Sequence, residues 1–255
     1  MQYITLLLSL FFTMNILSKD ENNHDLNVLV FSKTNGFRHE SIPDGIRAIF
    51  KIGEDRNWKV TTTEDSTLFT SKFLNKFDVV VFLLTSGDVL NEDQQNAMEA
   101  FIRSGNGFAG IHSATVTEYD WEWYGELVGA YFTAHPPTQE GTIIIEDPAH
   151  PSVPNGIKNT WTRVDEWYSF DRNPRDYVHV IMSLDESSYD VDDNNWFENK
   201  KIRMGDHPIV WTREFDGGRS FQTALGHTPE SYTDSLFLQH IAGGIEWAGG
   251  KANYK

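Results

Sequence analysis

The sequence of 255 residues contains no cysteine. This absence excludes disulfides, thiolate metal ligands, iron–sulfur clusters, a cysteine nucleophile and a lipid anchor on an N-terminal cysteine. Basic residues are also scarce, since 21 Lys and Arg stand against 37 Asp and Glu, for a formal net charge of −16 at pH 7. Nucleic-acid backbones and anionic membrane surfaces both require a basic face on the protein that binds them. We therefore expect no nucleic acid and no membrane anchor among the partners.

Long hydrophobic runs are absent, apart from one stretch at the N-terminus. Residues 4–17 are mostly apolar and are followed by the polar run of residues 18–25. A stretch of 14 residues is too short to span a bilayer comfortably and fits the hydrophobic region of a signal peptide, although residues 1–3 carry no Lys or Arg. We predict a signal peptide over residues 1–18 and a mature protein that is periplasmic or secreted. The alternative is an N-terminal helix tucked against the folded domain.

The first half of the chain alternates short apolar runs with amphipathic segments. The apolar runs are continuous, as expected for strands that are covered on both faces of a sheet. The predicted strands are residues 27–31, 58–62, 78–84 and 107–111, and the predicted helices are residues 41–51, 68–74 and 91–104. Asn91 begins the last of these helices, with Gln94 as its capping-box partner. This alternation predicts an α/β fold with a doubly wound, mostly parallel sheet.

The second half of the chain is less regular and adds further strands to the prediction. The predicted strands are residues 142–146, 161–167, 178–184, 209–212 and 220–225, and the predicted helices are residues 121–131 and 235–247. The last two strands form a pair that turns around Asp216, Gly217 and Gly218. Residues 185–206 are acidic and rich in Asn, which indicates an exposed insertion. Because no repeat or linker interrupts the chain, we predict a single domain over residues 26–250.

Small and polar residues follow four of the predicted strands at the point where each strand ends. In open α/β sheets, ligands bind outside the carboxyl ends of the strands. Three of these four segments contribute a histidine, namely His39, His112 and His227, and the fourth contributes Ser86. Because the four segments occupy matching topological positions, they predict a shared pocket.

His112 lies directly after the strand at residues 107–111, in the sequence Gly-Ile-His-Ser-Ala. Small residues on both sides of a sharp strand-to-helix turn push the central side chain up above the sheet. An imidazole at that position can act as a general acid or base, bind a metal or bind a hydroxyl group, but it is a poor acyl nucleophile. We therefore expect His112 to project into the pocket.

The sequence has no compact metal-binding or nucleotide-binding motif. It lacks a His-Glu-x-x-His sequence, a closely spaced carboxylate loop and a tract of clustered histidines. Its glycine-containing runs match neither a dinucleotide-binding nor a phosphate-binding fingerprint. We therefore expect no cofactor. The alternative is a divalent metal that His39, His112 and His227 would hold from distant strand ends.

Residues 165–168 have the sequence Asp-Glu-Trp-Tyr and place a carboxylate pair beside two aromatic rings. Carboxylates bond sugar hydroxyls while an aromatic face stacks on a sugar ring, so this segment suits carbohydrate recognition. The eight Trp and nine Tyr of the chain suit the same role, or simply pack the core. His135 precedes two prolines that fix its loop, and it is a further candidate.

Together, these segments resemble the ThuA-like family of trehalose-utilisation proteins, in the class I glutamine amidotransferase-like superfamily. The matching segments are residues 36–42, 107–114, 124–130, 135–136, 165–168, 207–211 and 218–228. The resemblance implies a flavodoxin-like fold and a role in the catabolism of sugars, including trehalose, related disaccharides and 3-keto-sugars. In the amidotransferases the strand-to-helix turn carries a catalytic cysteine, whereas His112 stands at that place here. Amidotransferase chemistry is therefore not implied.

The residues and the resemblance together predict an exported enzyme that acts on a disaccharide, a glycoside or a 3-keto-sugar by acid/base chemistry, with a carbohydrate as its ligand. We expect His112, Glu166 and His227 to be catalytic. The residues expected to bind substrate are Asn35, Arg38, His39, Ser86, Ser113, His135, Trp167 and Tyr168. Two alternatives stay open. One is a non-catalytic glycan-binding module, and the other is a metal-dependent hydrolase that uses the three histidines of the strand ends.

Overall fold

A nine-stranded sheet forms the centre of the fold. The computed structural model describes residues 25–193, 197, 200, 202–252 and 254, so the predicted signal peptide lies outside the described residues. Among the residues described, none of the helices has the length and apolar character needed to cross a bilayer.

The first half of the chain forms the parallel part of the sheet. Its strands are β1 (Leu26–Phe31), β2 (Trp58–Thr63), β3 (Val79–Leu83) and β4 (Gly107–Ile111), and its helices are α1 (Ile42–Arg56), α2 (Ser71–Leu74) and α3 (Glu92–Arg103). The capping box that begins α3 is confirmed, because Asn91 Oδ1 accepts a hydrogen bond from Gln94 N at 3.1 Å and Gln94 Oε1 accepts one from Asn91 N at 2.9 Å. The α/β alternation predicted from the sequence is therefore present.

The second half extends the sheet with antiparallel strands. Its elements are α4 (Glu122–Val128), β5 (Phe132–Ala134), β6 (Gln139–Ile145), β7 (Thr160–Asp165), β8 (Ser169–Phe170), β9 (His179–Asp185), β10 (Pro208–Phe215), β11 (Gly218–Thr223) and α5 (Ser235–Ala248). The order across the sheet is β2-β1-β3-β4-β11-β10-β9-β6-β7, and the short strands β5 and β8 pair separately. Neighbours from β2 to β11 run parallel, and those from β11 to β7 run antiparallel.

Both faces of the sheet are covered by apolar side chains, as a doubly wound fold requires. Val28 and Val30 of β1 belong to the core on the α1 and α5 face, whereas Leu29 and Phe31 belong to the core on the α3 and α4 face. All four side chains are at most 1% exposed. The continuous apolar run of β1 is thus explained by the alternation of its side chains between two buried faces.

The segment after β9 is only partly the exposed insertion that its acidic composition predicts. Val191 and Ile202 are buried, at 2% and 5% exposure, and pack with Ala134. The buried carboxylate of Glu186 accepts hydrogen bonds from Met204 N at 2.6 Å and Gly205 N at 3.0 Å, and its Oε1 lies 3.0 Å from Nδ1 of His207. The acidic composition is misleading here because one of the carboxylates anchors the segment.

We expect Glu186→Gln to lower the free energy of unfolding by about 1–3 kcal/mol at neutral pH, because a buried charged acceptor is lost. Burial alone would raise the pKa of Glu186, but hydrogen bonds from His207, Met204 and Gly205 outweigh it and lower the pKa below 4.5. The stabilisation is therefore present above about pH 4.5 and lost as the pH falls through the folded-state value.

Urea denaturation of the wild type and the variant between pH 3 and pH 8 measures this difference. The matched control is Asp192→Asn, since the Asp192 carboxylate is 78% exposed and pairs only at the surface with Arg203. The control should stay within about 0.5 kcal/mol of the wild type. A Glu186→Gln difference that persists unchanged at pH 3 would contradict the role given to this carboxylate.

Candidate active site

The carboxyl ends of the parallel strands converge at one edge of the sheet and carry the histidines there. His39 follows β1, His112 follows β4, and His227 follows β11. Ser86 follows β3, and the backbone of its loop is bridged to Thr34 after β1. The structure thus brings together the three histidines that the positions of the strand ends single out.

His112 begins a short 3-10 turn directly after β4, with φ of 53° and no solvent exposure. Its Nδ1 lies 2.7 Å from the carbonyl oxygen of Ala224 and must donate to it. In the neutral ring, Nε2 therefore keeps its lone pair, which faces the site. A Cβ at the nearby Gly110 would lie 1.9 Å from Oε1 of Gln222, so this glycine leaves room for the buried Gln222 side chain.

His39, His112, Glu166 and His227 form a tight cluster, here called the histidine–carboxylate cluster. Each residue offers one ligand atom, and these four atoms all lie within 4.8 Å of one another. Nε2 of His112 lies 3.5 Å from Oε2 of Glu166. Nδ1 of His227 lies 3.3 Å from that same oxygen and 3.3 Å from Nε2 of His112. The arrangement directs two imidazole nitrogens and a carboxylate at one point.

Burial and mutual contact set the charges of the histidine–carboxylate cluster. Burial, together with the neighbouring imidazoles of His112 and His227, lowers the pKa of His39 to about 2, so this ring is neutral at neutral pH. Burial alone would raise the pKa of Glu166, but hydrogen bonds from His112 and His227 hold it well below its usual range. Burial alone would lower the pKa of His227, and Glu166 raises it above the usual value of 6.5. The cluster therefore contains a carboxylate anion and at least one neutral imidazole.

Asp165 holds the loop that carries His227. Its fully buried carboxylate accepts hydrogen bonds from Gly226 N at 2.9 Å and His227 N at 3.0 Å. Arg163 lies 3.1 Å from the same carboxylate and also donates to Ser231 Oγ at 2.7 Å. Of the predicted carboxylate pair, Glu166 thus enters the cluster, while Asp165 positions the backbone beside it.

A cavity of about 560 Å³ opens beside the histidine–carboxylate cluster, here called the aromatic cavity. Its wall consists of Phe37, His39, Ser86, Ser113, Val116, Phe132, His135, Thr138, Glu166, Tyr168, Phe197 and His227. His112 lies beneath this wall, and its ring packs on that of Tyr168 with the centroids 4.1 Å apart. Nδ1 of His135 lies 3.2 Å from Oε1 of Glu166, on the side of the carboxylate that faces away from the other histidines.

The structure places five of the eight residues expected to bind substrate on this wall: His39, Ser86, Ser113, His135 and Tyr168. It does not bring the other three there.

Trp167 faces away from the cavity, because its neighbours on both sides, Glu166 and Tyr168, point into it. Its ring packs against Gly141 and its Nε1 donates to Gln139 O at 3.1 Å. Asn35 is not on the wall either, since its side-chain amide donates to the carbonyl of Asp88.

Arg38 lies outside the aromatic cavity and pairs with Glu64 at 2.7 Å. The sequence reasoning missed three aromatic wall residues, Phe37, Phe132 and Phe197. Phe37 could have been predicted as a wall residue, because it directly precedes Arg38 and His39 in the same strand-end segment. Phe37 is 68% exposed, which is unusual for a residue with so large an apolar side chain.

Comparison with known proteins identifies the family. Residues 27–248 match the family ThuA, described as trehalose utilisation. The chain belongs to the ThuA family. The family resemblance predicted from the sequence is thereby confirmed, and the family's description connects the chain to carbohydrate metabolism. No curated protein matches the chain.

Solved structures of ThuA-like proteins share this fold. A protein described as ThuA-like from Bacteroides uniformis is 18% identical, with a TM-score of 0.74 over 89% of this chain and 92% of its own. A second one from Parabacteroides merdae is 19% identical, with a TM-score of 0.70 over 90% of this chain and 92% of its own. A cytoplasmic protein from Salmonella typhimurium is 11% identical, with a TM-score of 0.59 over 88% of this chain and 99% of its own. These likenesses confirm the flavodoxin-like, mostly parallel α/β fold.

Proposed function

We propose that this member of the ThuA family is a metal-dependent hydrolase of a carbohydrate substrate, exported by the predicted signal peptide. The observation that carries the proposal is the histidine–carboxylate cluster, in which three imidazoles and one carboxylate lie with their ligand atoms within 4.8 Å of one another. Among the alternatives left open by the sequence, this geometry favours the metal-dependent enzyme over metal-free acid/base chemistry. It also adds Glu166 to the three histidines of the strand ends.

The spacing of the ligand atoms fits a divalent transition metal. An ion about 2.0–2.1 Å from each of its nitrogen and oxygen ligands in tetrahedral geometry holds neighbouring ligand atoms about 3.3 Å apart. The three separations among His112 Nε2, His227 Nδ1 and Glu166 Oε2 are 3.3, 3.3 and 3.5 Å. Histidine and carboxylate ligands together are typical of catalytic zinc sites.

The lone pairs of the ligand atoms in the cluster also favour a bound cation. When the ring of His112 is neutral, its Nε2 and Oε2 of Glu166 are both acceptors, and they lie 3.5 Å apart. A single proton on His227 Nδ1 serves only one of them at a time. A metal ion would bind to both atoms. The hydrogen bond from His112 Nδ1 to Ala224 O would orient the imidazole of His112 toward the ion, as the outer partners of ligating histidines do in metal sites.

In the proposed enzyme, a divalent ion would lower the pKa of a bound water and polarise a substrate oxygen. The chain itself supplies the remaining functions. Ser113 Oγ lies 3.4 Å from His39 Nδ1 and steadies that ring. His135 lines the aromatic cavity outside the cluster, lies 3.2 Å from Glu166 and is placed to exchange a proton with a substrate oxygen. Phe132 and Tyr168 exclude water from this side of the cluster, since their rings pack 4.3 Å apart.

Metal analysis and activity assays of the same samples test this proposal. Protein purified without chelators should contain about one divalent ion per chain by plasma mass spectrometry. Stripping the ion with a chelator should abolish hydrolysis of a panel of glycosides, disaccharides and 3-keto-sugars, and adding Zn²⁺ or Mn²⁺ back should restore it. Hydrolysis that survives complete stripping would favour the metal-free acid/base enzyme. Sugar binding without any product would favour the glycan-binding module.

A further inference from the structure

A second cavity of about 370 Å³ adjoins the aromatic cavity and is here called the charged cavity. The two cavities share Phe37, His39 and His227 on their walls. The remaining wall of the charged cavity consists of Arg38, Glu40, Thr228, Pro229 and Glu230. Two members of the histidine–carboxylate cluster therefore stand where one space meets the other. A molecule that fills both spaces would present its middle to the cluster.

The walls of the two cavities suit different chemistry. Outside the cluster, the aromatic cavity is built mainly from phenyl and aliphatic groups, including Phe132, Phe197 and Val116. Of its few hydroxyl groups, Ser86 Oγ already donates to Phe37 O at 2.6 Å. A sugar ring buried there would leave hydroxyls without partners, and each buried unsatisfied hydroxyl costs about 1–3 kcal/mol.

The charged cavity offers what the aromatic cavity lacks. Glu40 and Glu230 are exposed carboxylates and accept hydrogen bonds, while Arg38 donates them. Thr228 adds a hydroxyl that donates and accepts. This mixture of donors and acceptors matches the alternating needs of sugar hydroxyls.

We propose that the substrate is a glycoside with an apolar, aromatic aglycone, with the sugar in the charged cavity, the aglycone in the aromatic cavity and the glycosidic bond at the wall formed by His39 and His227. Hydrolysis of that bond consumes one water, whose hydroxyl joins the anomeric carbon and whose proton goes to the aglycone oxygen. The inference rests on the proposed function, because it assumes that the histidine–carboxylate cluster hydrolyses a carbohydrate substrate. It goes beyond it by assigning the two halves of the substrate.

Matched ligands test the assignment by isothermal titration calorimetry on the metal-loaded protein. The probes are the 4-nitrophenyl and methyl α- and β-glucosides and galactosides, with trehalose as a ligand that has a second sugar in place of the aglycone. For at least one sugar, we expect the 4-nitrophenyl glycoside to bind about tenfold or more tightly than the methyl glycoside, because the ring buries apolar area. Trehalose should bind no better than the methyl glycoside.

Two variants locate the halves. Phe132→Ala should reduce the preference for the 4-nitrophenyl glycoside to within about threefold, and Phe132→Leu, which keeps the packing, should reduce it in part. Glu230→Gln should weaken both glycosides several-fold and leave their ratio unchanged. Equal binding of aryl and methyl glycosides, tighter binding of trehalose or no binding of any glycoside would overturn the inference. An aryl preference in protein that takes up no added metal would contradict the proposed function while leaving this assignment in place.

Discussion

His112→Ala is expected to weaken the binding of a divalent ion by about 100-fold or more and to abolish turnover, because loss of a direct ligand costs more than the 10–100-fold typical of the groups that orient a ligand. Nε2 of His112 lies 3.3 Å from Nδ1 of His227 and 3.5 Å from Oε2 of Glu166, so the substitution removes one of three closely spaced ligand atoms. Competition titration with a chromophoric chelator measures the affinity, and circular dichroism checks the fold.

Two further variants separate a metal ligand from a structural histidine. Glu166→Gln keeps the shape of the side chain and removes its charge, and it should weaken metal binding without unfolding the protein. His179→Gln is the matched control, since His179 is exposed and pairs with Asp147 away from the cavity. It should bind metal as the wild type does. Wild-type metal affinity in both His112→Ala and Glu166→Gln would contradict the proposal that the histidine–carboxylate cluster binds the metal ion.

Asp165→Ala is expected to lower the free energy of unfolding by about 3–5 kcal/mol, because it removes the nearer and fully buried carboxylate beside the buried charge of Arg163. The same substitution leaves the backbone N–H groups of Gly226 and His227 without an acceptor. Since these two hydrogen bonds fix the loop that carries His227, metal affinity should also fall, by about 10–100-fold. Thermal and urea denaturation measure the first effect, and chelator competition measures the second.

Asp234→Asn is the control for this substitution. Asp234 lies 3.8 Å from Arg163 at a partly exposed position and caps α5 by accepting a hydrogen bond from Leu236 N at 2.9 Å. Asn is as good an N-cap as Asp, so the change should cost less than about 0.5 kcal/mol. If Asp165→Ala were as mild as the control, the Asp165 carboxylate would not be what holds the loop.

Much of the parallel sheet could be predicted from the sequence because its strands are buried on both faces. The runs predicted at residues 27–31, 78–84 and 107–111 agree with β1, β3 and β4 to within one residue at each end. The strands β5 and β8 were missed, since pieces of two or three residues carry no periodic signal. The turn at Asp216 to Gly218 was predicted, and the strands that it joins do pair antiparallel.

The meeting of the three histidines follows from topology alone, because parallel strands end at one edge. The closeness of Glu166 to these histidines does not follow from topology. Glu166 follows β7, which lies four places from β11 in the order of the sheet, and no local pattern reports how such a distant strand end returns to the site. The structure therefore separates Glu166 from Trp167, which the sequence analysis grouped in one segment, since only Glu166 lies on the cavity wall. The chain between β7 and β8 alternates its side chains, which sends Trp167 to the opposite side.

The proposed metal centre is tested most directly by anomalous diffraction. Crystals of protein loaded with Zn²⁺ should give, in data collected above the zinc absorption edge, one strong anomalous peak about 2.0–2.2 Å from Nε2 of His112, Nδ1 of His227 and a carboxylate oxygen of Glu166. The peak should vanish in data collected just below the edge. Zinc-loaded crystals that show no peak inside the histidine–carboxylate cluster, with His227 and Glu166 joined by a direct hydrogen bond, would contradict the account.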